Sequence, residues 1–312
     1  MGQSSSLPQP IATVSQPFQP TTADVVSVKE SFREVSKPLP LELIDQILDE
    51  ASYWPHSSIT LVWPESVPYE KKKPSGTEGL FSEDKMYMRT LPFAVYGTEG
   101  DMTLTKEDLV ESATESFSIG MENHGEEAKL GKWLPPRGEH PCRKIVFQLW
   151  SKDQGWSDDG DNHGTYRGSY SWFDASVETV APDIHNQGPI AWPRFLLRYE
   201  SDTPLVAESH FNFIRRDPDH PFLPPPTHLQ RNIHASRDFH HHTVTWHYLD
   251  FIDENSPPVL EADLNGQGWK SLDGTFVRSL KVGDCITLWM RTRFPGWWLR
   301  IEKAKIEVYW AV

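Results

Sequence analysis

The sequence predicts a mainly β protein, an antiparallel sandwich of the jelly-roll type with one short helix ahead of it. Three observations carry that prediction. Apolar residues alternate with polar ones in several short runs, most clearly in KAKIEVYWAV, which sets Ala304, Ile306, Val308 and Trp310 on one face and Lys303, Lys305 and Glu307 on the other. The connections are rich in Pro and Gly, 26 and 19 residues in all, which interrupt helices and shape turns. The 13 tryptophans need a sandwich interior or a ligand groove to cover them, because exposed indole is costly.

Bulk properties narrow the class further. A chain of 312 residues suffices for one large domain or two modest ones. No apolar run approaches the ~20 residues that span a bilayer, and the polar, Pro-rich opening does not read as a secretory signal. A formal net charge of −14 argues against a nucleic-acid partner, which a basic face would bind by releasing counterions. Two cysteines, Cys142 and Cys285, imply no disulfide framework and a reducing, cytoplasmic or nuclear setting.

In chain order, residues 1–36 are rich in Ser, Pro, Gln and Thr and are expected to be a disordered arm. Gly2 and Ser6 fit the N-myristoylation pattern, and a single acyl chain would give only weak, reversible membrane contact. Residues 37–56 hold a helix. Leu43, Ile44, Ile47, Leu48 and Ala51 form one apolar stripe, Glu42 and Asp45 suit the helix start, and Pro55 ends it. Residues 57–84 read as a linker. Residues 85–312 read as the β domain, with an acidic insertion near 98–130 that is expected to be helical around Lys106–Ala113. MYMRTLPFAVYG, KIVFQLW, YRGSYSWF, RFLLRYE, LVAESHFNFIRR, TVTWHYLDF and CITLWMRTRF supply its strands, and Ile145, Phe147 and Leu149 share a face. Trp150, Trp246 and Trp310 are expected in the core.

Two stretches carry a family resemblance. PLPLELIDQILDEASYWP resembles the opening of the F-box-like segment at the head of many fungal proteins. WLPPRGEHPCRKIVFQLWSKDQGWSDD, GTYRGSYSWFDASVE and KVGDCITLWMRTRFPGWWLRIEKAKIEVYWA resemble the β domain that accompanies it. That domain is similar to galactose-binding-like jelly rolls and to the recognition domains of sugar-binding F-box proteins. The resemblance implies a binding module and no catalytic set. It also implies that Leu39, Pro40, Leu43, Ile44, Ile47 and Leu48 contact the linker protein of a ubiquitin ligase. The departure is that HSSITLVWPESVPYEKKKPSGTEG has no helical period, so the later helices of a complete F-box have no counterpart here, and the plainer reading is a helix that packs on the β domain as a lid.

Each chemical candidate in the chain also has a plainer structural reading. In DQGWSDDGDNHGTYRGSYSWFD, Asp158, Asp159, Asp161 and Asn162 offer hard oxygens for a structural calcium. However, His163 ligates calcium poorly, and Asp and Gly are turn formers, so a loop between strands ending near Trp150 and beginning near Gly164 is preferred. In NIHASRDFHHHTVTWHYLDF, His240 and His242 share a strand face and are candidate ligands for a metal such as zinc, with His241 and His247 pointing away. No cysteine joins them and no HExxH or GxSxG pattern occurs. For ligand recognition, Trp156 with Asp158 and His163, the run Arg293, Pro295, Trp297 and Trp298, and His185 and Asn186 with Trp192 combine aromatic faces with hydrogen-bonding groups on loops. The leading expectation is a non-catalytic recognition protein, an F-box-like adaptor presenting a glycan or protein partner, with no cofactor apart from that calcium. The alternative is an enzyme of specialised metabolism using a polar or metal-containing pocket that includes His240 and His242.

Overall fold

The computed structural model describes residues 18–68, 84–94, 98–105, 135–182, 211–215 and 223–312. The protein is mainly β, with two antiparallel-rich sheets and few helices, an arrangement compatible with a β-sandwich. The last strand organises the first sheet. In β10 (Trp298–Trp310) the inward Ala304, Ile306, Val308 and Trp310 are all buried. This period-2 pattern fixes the register, since a one-residue slip would turn each of them to the other face. β10 pairs antiparallel with β1 (His56–Pro68) on one side and β4 (Cys142–Lys152) on the other. β3 (Gly100–Thr105) runs parallel to β1 at one edge, and β8 (His240–His247) borders β4 at the other.

The second sheet runs β2 (Asp84–Arg89), β9 (Asp284–Thr292), β5 (Ser171–Pro182) and β6 (Phe211–Arg215), with β7 (Gln230–Arg231) also paired to β5. Ile286, Leu288 and Met290 of β9 and Phe173 of β5 meet Ile145, Phe147, Leu149 and Ile306 of the first sheet in one apolar core. Phe147 lies edge-on to Trp246, with ring centroids 4.8 Å apart. A polar tie also joins the sheets. Ser151 Oγ donates to Asn232 Oδ1 at 2.7 Å, and Asn232 Nδ2 donates to Ser171 Oγ at 3.0 Å, so three buried polar groups satisfy one another.

Several expectations need correction. The stretch expected to be a disordered arm contains α1 (Thr22–Glu34), started by a reciprocal capping box between Thr21 and Asp24. Its Val25 is buried, and Val28 and Phe32 pack on the core, so the helix finds tertiary contacts that its own weak periodicity does not announce. The stretch expected to be a linker contains β1, whose Ile59 and Leu61 are buried. β3 falls within the stretch assigned to the acidic insertion, and its parallel pairing departs from a purely antiparallel plan. The helix expected around Lys106–Ala113, the strand RFLLRYE, and Gly2 lie outside the described residues.

The predicted helix is α2 (Leu41–Glu50), ending at Ala51. The expected single stripe is split. Ile44 and Leu48 are buried in the core, whereas Leu43 and Ile47 remain 47% and 42% exposed. A carboxylate hub sets this orientation: Asp49 accepts from Arg137 Nη2 at 2.8 Å, from Trp54 Nε1 at 2.9 Å and from Arg143 Nη2 at 3.3 Å. Burial raises the Asp49 pKa, but these donors outweigh it and leave the carboxyl below its ordinary value. Asp45 pairs with Lys29 of α1 at 2.7 Å. Lys29 and Arg137 also donate to the Val312 carbonyl at 2.6 and 3.1 Å, tying both helices to the final strand.

Phe147→Ala should lower unfolding free energy by about 3–5 kcal/mol, the usual cost of emptying a large aromatic site. Thr245→Ala, on the exposed face of the neighbouring strand, should change it by no more than ~0.5 kcal/mol. Chemical denaturation of both variants measures the contrast.

Candidate functional site

The best-defined site lies at the end of the sheets where the β4–β5 loop (Asp153–Tyr170) meets the β9–β10 turn. The loop begins with a buried anchor. Asp153 Oδ1 accepts from Gly155 N at 2.9 Å, and Oδ2 accepts from the backbone N–H of Ala235. Burial raises the Asp153 pKa, and these N–H groups together with the nearby His234 oppose it. Gly155 has φ +86°, and a Cβ there would meet Arg237 Cγ at 2.9 Å, so the turn requires glycine.

His234 fastens the far half of the loop. Its backbone N donates to Thr165 O at 2.7 Å, its carbonyl accepts from Gly164 N at 2.9 Å, and its Nδ1 donates to Arg167 O at 2.8 Å. Its buried Nε2 has no partner among the described residues. The ring lies 5.2 Å from Trp297 and 5.7 Å from His163. Gly168, at φ +63°, gives the ring its room, since a Cβ there would sit 3.2 Å from the His234 ring and from Asp159 Oδ2. Tyr170 closes the contact, with ring centroids 5.2 Å from Trp297 and 4.5 Å from Phe294, and its carbonyl accepts from Arg293 N at 3.0 Å.

Two of the three loop regions singled out from sequence are thus brought together. Their residues take different positions. Trp156 is 58% exposed, Trp298 is 37% exposed, and Trp297 is 9% exposed against Tyr170 and His234. Arg293 is not a free recognition group, because it is buried with its Nη1 2.8 Å from Asp84 Oδ1. His163 holds the loop internally, its Nε2 donating to the Ser157 carbonyl at 2.9 Å. Trp192, His185 and Asn186 lie outside the described residues. The loop is longer than expected: β4 runs to Lys152 and β5 starts at Ser171, so Tyr166 and Gly168 belong to it and not to a strand.

The metal candidates do not assemble. Among the described residues no group of three or more His, Cys, Asp or Glu side chains is placed to hold a metal ion. Asp158 and Asp161 are exposed, and Asp159 accepts from Asn162 Nδ2 at 2.7 Å. His240 and His242 do share a face, with ring centroids 6.3 Å apart, yet each nitrogen that bonds is engaged by a hydroxyl. His240 Nε2 meets Ser236 Oγ at 2.6 Å, and His242 Nε2 meets Tyr166 Oη at 3.1 Å. Both cysteines are free and buried, and burial raises both thiol pKa values, which opposes a nucleophilic thiolate.

The second sheet gathers a different set, Asp174 and Glu178 of β5 with Asp84, Arg89 and Arg291. Arg291 bridges Asp84 and Asp174, and Arg89 meets Glu178. Burial raises the Asp174 pKa while Arg291 lowers it. The net direction is upward, so burial outweighs the guanidinium at Asp174. No local spacing announces this set, because its members are spread from Asp84 to Arg291.

Comparison with known proteins gave no match to a family model, to a curated protein or to a solved structure. Among the described residues no helix is long and apolar enough to cross a membrane.

His242 makes the loop end sensitive to acid. Burial, reinforced by His240 and His241, lowers its pKa to about 4. In the unfolded chain the ring takes up a proton near the ordinary value of about 6.5. Stability present above pH ~6.5 should therefore be lost as pH falls toward ~4, because only the unfolded chain gains the proton in that window. Urea midpoints at about pH 7 and about pH 5 should fall less for His242→Gln than for the wild type; equal losses would contradict this assignment.

Proposed function

We propose that this chain is a non-catalytic recognition protein that binds a glycan or a protein partner at the loop end of a galactose-binding-like jelly roll. The observation that carries this reading is a rigidly held loop presenting bare indole. Asp153 and His234 fix the β4–β5 loop from within, while Trp156 remains 58% exposed. Preorganisation of this kind lowers the ordering cost of binding, and a flat aromatic face suits the C–H surface of a sugar or an apolar side chain. The neighbouring chemistry favours binding over catalysis, since Arg293, Asp174 and Glu178 are ion-paired and His240 and His242 are bonded to hydroxyls.

On the same reading, α2 is the adaptor element that meets the ligase linker. Leu43 and Ile47, with Leu41 beside them, form an outward apolar row, while Ile44 and Leu48 are occupied by the core. The partner-facing set is therefore narrower than the six residues the family resemblance implies.

A glycan-array screen of the full chain with Trp156→Ala as control tests the first claim. The variant should lose at least ~10-fold in binding with its unfolding midpoint within the narrow range of surface substitutions. Leu43→Asp and Ile47→Asp should abolish co-purification of the ligase linker without changing stability; retention of the linker in both variants would remove the adaptor role.

A further inference from the structure

Positive charge is distributed unevenly in this molecule. Arg89, Arg137, Arg143, Arg291 and Arg293 are each matched to a carboxylate. Four cations beside the loop end are not. Lys152 ends β4, Arg237 precedes β8, and Arg300 and Lys303 lie on β10; none has a carboxylate within ion-pair distance among the described residues. Asp238 and Glu302, the acids adjacent in sequence, are exposed and do not pair with them.

Aromatic rings lie against three of these cations, and Lys152 Nζ also donates to the Arg237 carbonyl at 2.7 Å. Lys152 Nζ is 4.5 Å from the Phe239 ring centroid, Lys303 Nζ is 4.1 Å from Trp150, and Arg300 Cζ is 5.6 Å from Trp298. Trp150 in turn stacks on His241, with centroids 4.1 Å apart and planes 8° from parallel. The pairing register puts Lys303, Trp150 and His241 in one row across three adjacent strands, and Arg300 directly opposite Lys152. Trp150 therefore belongs to the outer face and not to the core. Two like charges facing each other across a ladder destabilise a sheet. In a chain of net charge −14, that repulsion has no compensating carboxylate among the described residues. An anionic ligand would relieve it.

We propose that this face binds an anionic oligosaccharide, its carboxylates or sulfates held by Lys152, Arg237, Arg300 and Lys303 and its sugar faces stacked on Trp156 and Trp298. The inference rests on the recognition reading above and specifies the ligand. The patch continues the loop end, because Gly155, next to Trp156, packs against Arg237. Phe239, Trp298 and Trp156 are 44%, 37% and 58% exposed, and flat exposed rings favour sugar C–H surfaces over an acidic peptide, whose carboxylates need cations alone. A long polyanion such as single-stranded nucleic acid would extend past the patch into the field of a strongly acidic molecule.

The test is calorimetric titration of the full chain with a sulfated, heparin-derived hexasaccharide and with uncharged cellohexaose, at low and at physiological salt. The sulfated probe should bind and should weaken with added salt. Arg300→Gln and Lys303→Gln should each weaken it about tenfold, while Lys281→Gln, a cation elsewhere on the chain, should leave it unchanged. The denaturation midpoint of Arg300→Gln should be unchanged or raised, since the substitution removes a repulsion. Equal binding of both hexasaccharides, unaffected by the Gln variants but lost in Trp156→Ala, overturns the anionic specificity and leaves the recognition reading standing. A poly-glutamate peptide or an oligo-dT bound in place of the sulfated sugar overturns the choice of ligand, and no binding of any probe overturns the proposal.

Discussion

The architecture depends on the central position of β10. Without it the first sheet would part into two strand pairs, β3 with β1 and β4 with β8, and its inward Ala304, Ile306, Val308 and Trp310 form the floor on which the second sheet rests. Trp310 meets Phe93 edge-on, with centroids 6.0 Å apart, so this strand also reaches the segment after β2. Around this strand the chain divides its polar groups by task. Carboxylates and guanidinium groups are paired where they are buried, as at Asp49 and Arg291, which avoids the penalty of an isolated charge in the interior. Cations are left to aromatic rings where the surface is open.

That division shaped what could be read from the amino-acid sequence. The inward faces of β4, β8 and β10 were legible because the sheet reads each strand with period 2, and Ile145, Phe147, Leu149, Val244 and Trp246 obey it. β1 was missed because HSSITLVW begins with polar residues that are nonetheless buried, His56, Ser57 and Ser58 among them. Pro64 and the register shift between Val62 and Glu65 then break the alternation. α1 was missed for a related reason: only Val25, Val28 and Phe32 pack inward, too sparse a set to stand out from a polar, Pro-rich context.

The site was half legible. Trp156 and Trp297 were identified as loop aromatics, and the two loops do meet. What was hidden is who holds the loop. His234 acts through backbone groups at Thr165 and Gly164 that lie some seventy residues earlier in the chain, and no spacing announces such a contact. The basic and aromatic row was obscured by a bulge in β10. The register shift between Ile301 and Lys303 brings Arg300 opposite Lys152 on the outer face, whereas unbroken alternation from Ala304 and Ile306 would turn it inward.

The pairing of β1 with β10 has a temporal consequence. His56 faces Tyr309 across a separation of about 250 residues, and Lys29 of α1 reaches the Val312 carbonyl. On a ribosome that delivers the chain from its N-terminus, Ile59 and Leu61 emerge long before their partners Ile306 and Ala304 exist. β1 must wait, its apolar face uncovered, until β10 has been made. Contacts this distant along the chain slow folding and lengthen the time in which an uncovered strand edge is open to aggregation, a hazard that the tightly closed finished fold conceals.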